Sequence, residues 1–340
     1  MHMANALISP LVSATMLTAT GTIMGYSLKK IPKEDLQDKL PLMSVIGAFV
    51  FAAQMINFTI PGTGSSGHLG GGMLLAILLG PYAGFLAMGA ILLVQSLFFA
   101  DGGLLAYGCN VFNLGFYTCF IAYPLIYKPM LHNGFSKKKL IGAAMLSSII
   151  GLQLGAFSVV MQTLISGRTT MLFSEFLLAM QPIHLAIGIV EGAIISTVLI
   201  FIHQSHPRLV DAASNNFPKL KMKKLIIVCM LCTFIVGGVF SLFASSNPDG
   251  LEWAISKITG TQEVQSEGVL YDKAEALQEH FAILPDYTFK IDQSPMTPIR
   301  YIEKLGTSTS GILGSLLTAT FILAIGLLRY GLKSLRRISL

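Results

Sequence analysis

The sequence predicts an all-α fold, a polytopic helical bundle set in a membrane, and three observations predict it. Of the 340 residues, 53% are hydrophobic and only 12% charged, against roughly 25% charged in a soluble globular domain, and the mean hydropathy is +0.68. Apolar runs close to the ~20 residues that cross a bilayer recur along the chain. Lys and Arg collect in alternate connections between those runs, as they do in loops kept on the cytoplasmic side.

The runs place about seven membrane segments in the first part of the chain, near residues 7–28, 42–60, 70–80, 82–100, 109–127, 140–165 and 181–203. Two more follow near 225–245 and 312–328. The run at 70–80 is too short to span alone, and Pro81 divides it from the next. The two read as a broken or re-entrant pair, tolerated where protein covers the backbone.

Four connections are basic: Lys29, Lys30, Lys33 and Lys39; Lys128, Lys137, Lys138 and Lys139; Arg208, Lys219, Lys221, Lys223 and Lys224; and Arg329, Lys333, Arg336 and Arg337. Residues 61–69 and 101–108 carry no Lys or Arg, and 166–180 carry only Arg168. Nine crossings put all basic loops on one side, so the N-terminus and the 61–69 loop are expected outside and the C-terminus in the cytoplasm. The first segment lacks a basic n-region and an Ala-x-Ala site, so it reads as retained rather than as a removed signal peptide.

Composition divides the chain into residues 1–205, a basic cytoplasmic linker at 206–224 ("HPRLVDAASNNFPKLKMKK"), and residues 225–340 with an outer polar loop at 246–311. That loop holds ten of the seventeen acids. It reads either as a solvated ectodomain or as an acidic surface that gathers cations, with Asp249 and Glu252 as candidates for metal loading.

Several motifs exclude more than they assign. Gly62, Gly64 and Gly67 spell G-x-G-x-x-G, but an apolar run precedes them and 82–99 holds no acid for a ribose, so a dinucleotide cradle fails on context. No P-loop and no H-E-x-x-H occurs. Cys229 and Cys232 lack a second pair, and Cys109 and Cys119 lie in apolar runs, so all four read as small apolar residues. Gly21 and Gly25, with Ala14 and Thr18, offer a face for close helix approach, internal or to a partner.

The outer face carries the chemistry. The chain begins "MHMANALISP", and a free amino terminus, the His2 amide nitrogen and His2 Nδ1 can close two fused chelate rings on one metal ion. Binding would ionise the amide and need a neutral imidazole, so affinity should rise with pH. A second imidazole would complete a planar four-nitrogen set, which suits Ni(II) or Cu(II). His68 is expected on the same side, in a loop whose glycines permit positive φ and close backbone approach. Read from residues alone, an ordinary terminal histidine and a solvated loop histidine stand beside this.

Asp101, Asn110 and Asn113, and more weakly Gln95, lie at outer segment ends, where they either hydrogen-bond the histidine loop or cap helices. His184 and Glu191 are seven apart, which puts both on one helical face. Ionisable groups inside a membrane suggest function, so they read as supports behind the metal donors or as a pair that braces helices.

"MHMANALISP", "GTGSSGHLGGGMLLAILLGPYAGFLAMGAILLVQSLFFADGGLLAYGCNVFNLG" and "HLAIGIVEG" resemble the CbiM/NikM family over residues 1 to about 205. This family supplies the substrate-binding components of energy-coupling factor transporters for cobalt and nickel. "SSNPDGLEWAISK" resembles the P-D-G-L-E motif of the small N component of the same systems, so the chain looks like an M–N fusion. The resemblance implies Ni(II) or Co(II) as cargo, held by Met1, His2 and His68, with no organic cofactor and no catalysis by the chain. It implies two partners: a CbiQ/NikQ-like transmembrane T component and CbiO/NikO-like cytoplasmic ATPase subunits. One departure is that Met3, Ala4, Asn5 and Ala6 stand where many members carry an acid soon after the histidine. The planar set favours nickel, and cobalt stays open. The alternative is an intramembrane metal-dependent enzyme or a metal sensor built on His184 and Glu191.

Overall fold

In a computed structural model of the chain, residues 1–31, 33–132, 134, 136–205, 223–261, 264, 268–290 and 299–338 are described. Nearly all of the expected linker at 206–224 lies outside them, as do Glu263, Glu267 and Asp292 of the acidic loop.

The chain enters through a short 3-10 turn, Asn5–Leu7, and then α1, Pro10–Lys30. Ser9 caps α1 by accepting a hydrogen bond from the Val12 amide at 3.4 Å, Pro10 pre-sets the first turn, and Lys29 and Lys30 face the negative end of the helix dipole. Helix α2 spans Lys33–Gln54.

The expected segment at 42–60 ends early. Phe58–Ile60 leaves the helix as β1 and pairs antiparallel with β2, Ser65–Gly67, so a two-stranded ribbon interrupts the helical bundle. Phe58, Thr59 and Ile60 are β-formers, and the turn between the strands passes through Gly62 and Gly64 at positive φ.

Helix α3, Gly72–Leu79, has all eight residues buried, and α4, Pro81–Phe98, restarts after Gly80. At 1.5 Å per residue α3 is about 12 Å long, too short to cross a bilayer. Its break falls at Gly80–Pro81, as the sequence predicts, and both residues there are half-buried.

Helix α5 runs Tyr107–Leu131, wound as a π-helix over Phe112–Tyr127 around Pro124. Helices α6, Lys137–Ser166, and α7, Phe173–Ser205, form a long antiparallel pair. Lipid tails give apolar helices no hydrophobic reason to associate, so close packing must hold them. The α6–α7 pair meets at Gly188 and Gly192, where any side chain would press on Ile149 and Met145.

In the second part, α8, Lys223–Gly238, and α11, Ile299–Ile338, pack against each other and against α2. Between them lie two short amphipathic helices, α9, Gly250–Thr259, and α10, Val269–Phe281. Among the described residues, six helices are long and apolar enough to cross a membrane: 81–98, 107–131, 137–166, 173–204, 226–243 and 302–327. The chain is a multi-pass helical membrane protein. Helices α1, α2 and α3 occupy the remaining expected segments but fall outside that class, α1 being diluted by Thr, Ser and Gly.

Candidate metal centre

The first residues run inward over the end of the bundle. The Met3 amide donates to Asn110 Oδ1 at 2.8 Å, and Asn110 Nδ2 returns a bond to the Met3 carbonyl at 3.2 Å. The Gly103 amide also donates to the Met3 carbonyl, at 2.8 Å. Asn5 Oδ1 accepts from the Leu105 amide at 2.9 Å, and its Nδ2 donates to Gln278 Oε1 at 2.8 Å. Met3 is fully buried, with its sulfur 3.6 Å from Asn113 Nδ2. So Met3 and Asn5 are the anchors of the terminus here.

This anchoring brings the expected donors together. The His2 and His68 rings stack with centroids 5.0 Å apart and planes 11° from parallel. The Met1 amine is 3.1 Å from Asp249 Oδ2. His2 Nδ1 faces Asp101 Oδ1 at 3.3 Å, and the other oxygen of Asp101 accepts from the Tyr287 hydroxyl at 2.5 Å. His68 Nδ1 lies 3.0 Å from the Leu69 carbonyl, which can only accept. Nδ1 therefore carries the proton, and the Nε2 lone pair is left for a ligand.

Burial sets the charge states. It pushes the His2 imidazole down to about 3, helped by the adjacent amine and opposed by Asp249. It pushes His68 down to about 4, with the amine and His2 adding to the effect. Both rings are neutral at pH 7, the form that binds a metal. Burial also raises Asp101, against the Tyr287 hydrogen bond. For Asp249 burial acts upward, but the amine and the Glu252 backbone amide outweigh it and the carboxyl falls well below its ordinary range.

The His68 loop is fixed from below. Gly71 adopts φ +76°, and a side chain there would strike Val50. Glu191 on α7 accepts from the Gly70 amide at 2.6 Å and the Gly71 amide at 3.2 Å. Gln54 Nε2 donates to the Gly70 carbonyl at 2.9 Å, and Gln95 Nε2 donates to Gln54 Oε1 at 3.0 Å.

The second part of the chain closes the site through Pro248-Asp249-Gly250-Leu251-Glu252, and each residue of that motif has a local reason. The Pro248 carbonyl accepts from the Ser66 amide of β2 at 2.7 Å. Asp249 caps α9, its Oδ1 accepting from the Leu251 and Glu252 amides at 2.8 Å each, while Glu252 Oε2 accepts from the Asp249 amide at 3.0 Å. This is a capping box. A side chain at Gly250 would collide with Ile183 and crowd His184, and Leu251 is buried. Trp253 Nε1 adds a bond to the Thr63 carbonyl at 2.9 Å.

The structure thus gathers Met1, His2, His68, Asp101, Asp249 and Glu252 around one polar cavity of about 710 Å³, which His2, His68, Asp101, Asp249 and Glu252 line. Two expectations change. Asn110 and Asn113 do not hold the histidine loop: Asn110 binds Met3, and Asn113 forms a reciprocal amide pair with Gln162 at 2.8 and 3.0 Å. His184 and Glu191 do not brace each other, because Glu191 is committed to the Gly70 and Gly71 amides and His184 Nδ1 to the Met180 carbonyl at 2.8 Å. Helical spacing set them on one face, and the loop amides made the better partner for the carboxylate.

Among the described residues, no group of three or more His, Cys, Asp or Glu side chains is arranged to hold a metal ion. The nitrogen set expected at the terminus would draw two of its donors from main chain. Sequence reasoning missed Gln278, whose Nε2 donates to the Ser96 and Gly102 carbonyls at 3.0 and 2.9 Å, as well as Tyr287 and Gln54. Nothing in the local pattern marks them, since their partners are distant in the chain.

Comparison with known proteins agrees with this architecture. The family CbiM, described as a cobalt uptake substrate-specific transmembrane region, matches residues 2–209, and the PDGLE domain matches residues 223–330. A protein of Archaeoglobus fulgidus, named by inference as a fused nickel transport protein NikMN, is 30% identical over 288 residues, covering 85% of this chain and 88% of its own. The cobalt transport protein CbiM of Geobacter sulfurreducens is 26% identical over 227 residues, 62% of this chain and 63% of its own. The crystal structure of a truncated transition metal transporter superposes with a TM-score of 0.54 at 29% identity, covering 61% of this chain and all of that one. A helical membrane region matched from residue 2 to 209 and a PDGLE domain packed on it identify the chain as a member of the CbiM family with a PDGLE domain in the same polypeptide.

Proposed function

We propose that the chain is the metal-binding subunit of an energy-coupling factor transporter that takes up Ni(II) or Co(II). The observation that carries this reading is the stacking of His2 on His68, two neutral imidazoles 5.0 Å apart beside a buried amino terminus. The donors are the Met1 amine, the His2 amide nitrogen, His2 Nδ1 and His68 Nε2. The amine is held by Asp249, and His2 Nδ1 faces Asp101. Loading must strip protons from the amine and the amide and shift the proton of the neutral His2 ring from Nδ1 to Nε2, so the ring itself releases none.

In this reading residues 1–205 form the binding module, 206–224 the cytoplasmic linker, and 225–340 a module whose outer loop, 246–311, loads metal through Asp249 and Glu252. The polar cavity of about 710 Å³ is the vestibule by which a hydrated cation approaches. The amino terminus faces outward and the carboxy terminus the cytoplasm, in line with the basic connections. A transmembrane T component and cytoplasmic ATPase subunits supply the energy, since the chain has no P-loop. Nitrogen donors in a plane favour nickel, with cobalt as the alternative.

The test is the metal content and visible d–d absorption of purified untagged, N-terminally extended and C-terminally tagged protein. Extension blocks the α-amine and with it the chelate that ionises the His2 amide, so metal should be lost. A C-terminal tag should change neither quantity. Unchanged affinity and spectrum in the extended form would refute the assignment.

A further inference from the structure

We propose that His184 is a direct donor at a second, inner cation position, which the ion reaches after leaving the terminal nitrogen set. This rests on Met1, His2 and His68 forming the outer site. His184 lies on α7, is 1% exposed, and donates through Nδ1 to the Met180 carbonyl at 2.8 Å. A carbonyl only accepts, so the proton sits on Nδ1 and Nε2 presents a bare lone pair. That Nε2 is fully buried and has no hydrogen-bond partner among the described residues. A histidine kept only to brace a helix is expected to use both nitrogens or to leave the second in solvent.

A small void shows what the lone pair can meet. It measures about 10 Å³ and is walled by Met1, His68, His184, Asp249 and Gly250, with Leu114, Leu152 and Ile187 closing it. That is close to the space of one water-sized sphere. His68 and Asp249 border both this void and the large polar cavity. They stand between the two spaces, so an ion passing His68 from the vestibule next meets His184.

The donor chemistry is that of a borderline divalent cation: two imidazoles, one carboxylate and the terminal residue. Among the described residues His68, His184 and Asp249 are not gathered closely enough to hold an ion as they stand. A position with fewer fixed donors than the planar set binds less tightly, as an intermediate stop needs to if the ion is to leave it.

The test uses the full chain with His2→Ala, which destroys the terminal chelate, and Co(II) as the probe. Equilibrium dialysis should find one weak site in His2→Ala that disappears in His2→Ala/His184→Gln, where the Gln amide can still donate to the Met180 carbonyl. X-ray absorption on Co(II)-loaded His2→Ala protein should count two imidazoles, and this needs no His184 variant. In cells holding the partner subunits, His184→Gln alone should cut uptake by about tenfold, equivalent to one power of ten in a rate. Loss of all Co(II) binding in His2→Ala, one imidazole in the absorption fit, or equal binding with and without His184 would overturn the proposal. Failure of the outer site is read separately, from metal retention by the N-terminally extended chain.

Discussion

Asp249 holds the amino group of Met1 with one oxygen, at 3.1 Å, and the start of its own helix with the other, across a separation of 248 residues. One carboxylate therefore joins the capping box of α9 to the expected metal chelate. Asp249→Asn separates the two jobs, because Asn caps a helix as well as Asp but offers the amine no charge. Hydrogen bonds to charged groups contribute about 1.5–3 kcal/mol, so the initial rate of nickel uptake should fall by roughly tenfold. The pair is partly buried, with Met1 buried and Asp249 half-buried, so most of the loss should persist from low to high salt. A loss confined to low salt would mean that the residue only gathers cations from solution.

His68→Ala should remove one of four donors and leave the fold intact. Among the described residues the ring makes one hydrogen bond, to the adjacent Leu69 carbonyl, so the melting temperature should move by only a few degrees. Metal affinity, measured by competition with a chromogenic chelator, should drop by at least about a hundredfold, more than is usual for a residue that merely supports a ligand. Wild-type affinity in this variant would remove His68 from the site.

The pH dependence separates the donors. His2 and His68 lie near 3 and 4, both depressed mainly by burial, so neither ring gains or loses a proton at neutral pH. Depressed imidazole values mean that protonation opposes binding only below those values. Affinity should therefore rise with pH through the amine and amide protons, with no break near about 6.5, the ordinary histidine value. Isothermal titration at several pH values in buffers of different ionisation enthalpy counts the protons released. A break near 6.5 would show an imidazole titrating.

Glu191→Ala should destabilise the protein and loosen the His68 loop. It leaves the buried Gly70 and Gly71 amides without their acceptor, at about 1–3 kcal/mol each. Glu191→Gln keeps one oxygen and should lose roughly half as much. Thermal unfolding in detergent ranks the three proteins, and an Ala variant as stable as wild type would show that the loop is held by other contacts.

Much of this was legible along the chain because its causes are local. Apolar runs declare membrane helices, Gly80–Pro81 declares the break between α3 and α4, and Met1 and His2 place three chelating nitrogens together by covalent geometry alone. The capping box of Asp249 and Glu252 also has a local cause, the spacing that reciprocal capping requires, yet the pair reads in the sequence only as acids for metal loading, and the structure supplied the cap. Where period and chemistry were ambiguous, local reading fell short. The run at 42–60 reads as helix throughout, yet its last residues pair with 65–67 because β2 offers main-chain partners that a continued helix could not use.

Tertiary structure decided the rest. The sequence by itself determined which atoms could chelate a metal, and packing determined which groups those atoms face. Asp249 reaches Met1, Glu191 reaches Gly70 and Gly71 some 120 residues away, and Asn110 turns to Met3 rather than to the histidine loop. The physical reason is common to all three. A buried polar group must find a partner wherever the fold places one, and helical period fixes the face on which a side chain lies without naming what is packed against it.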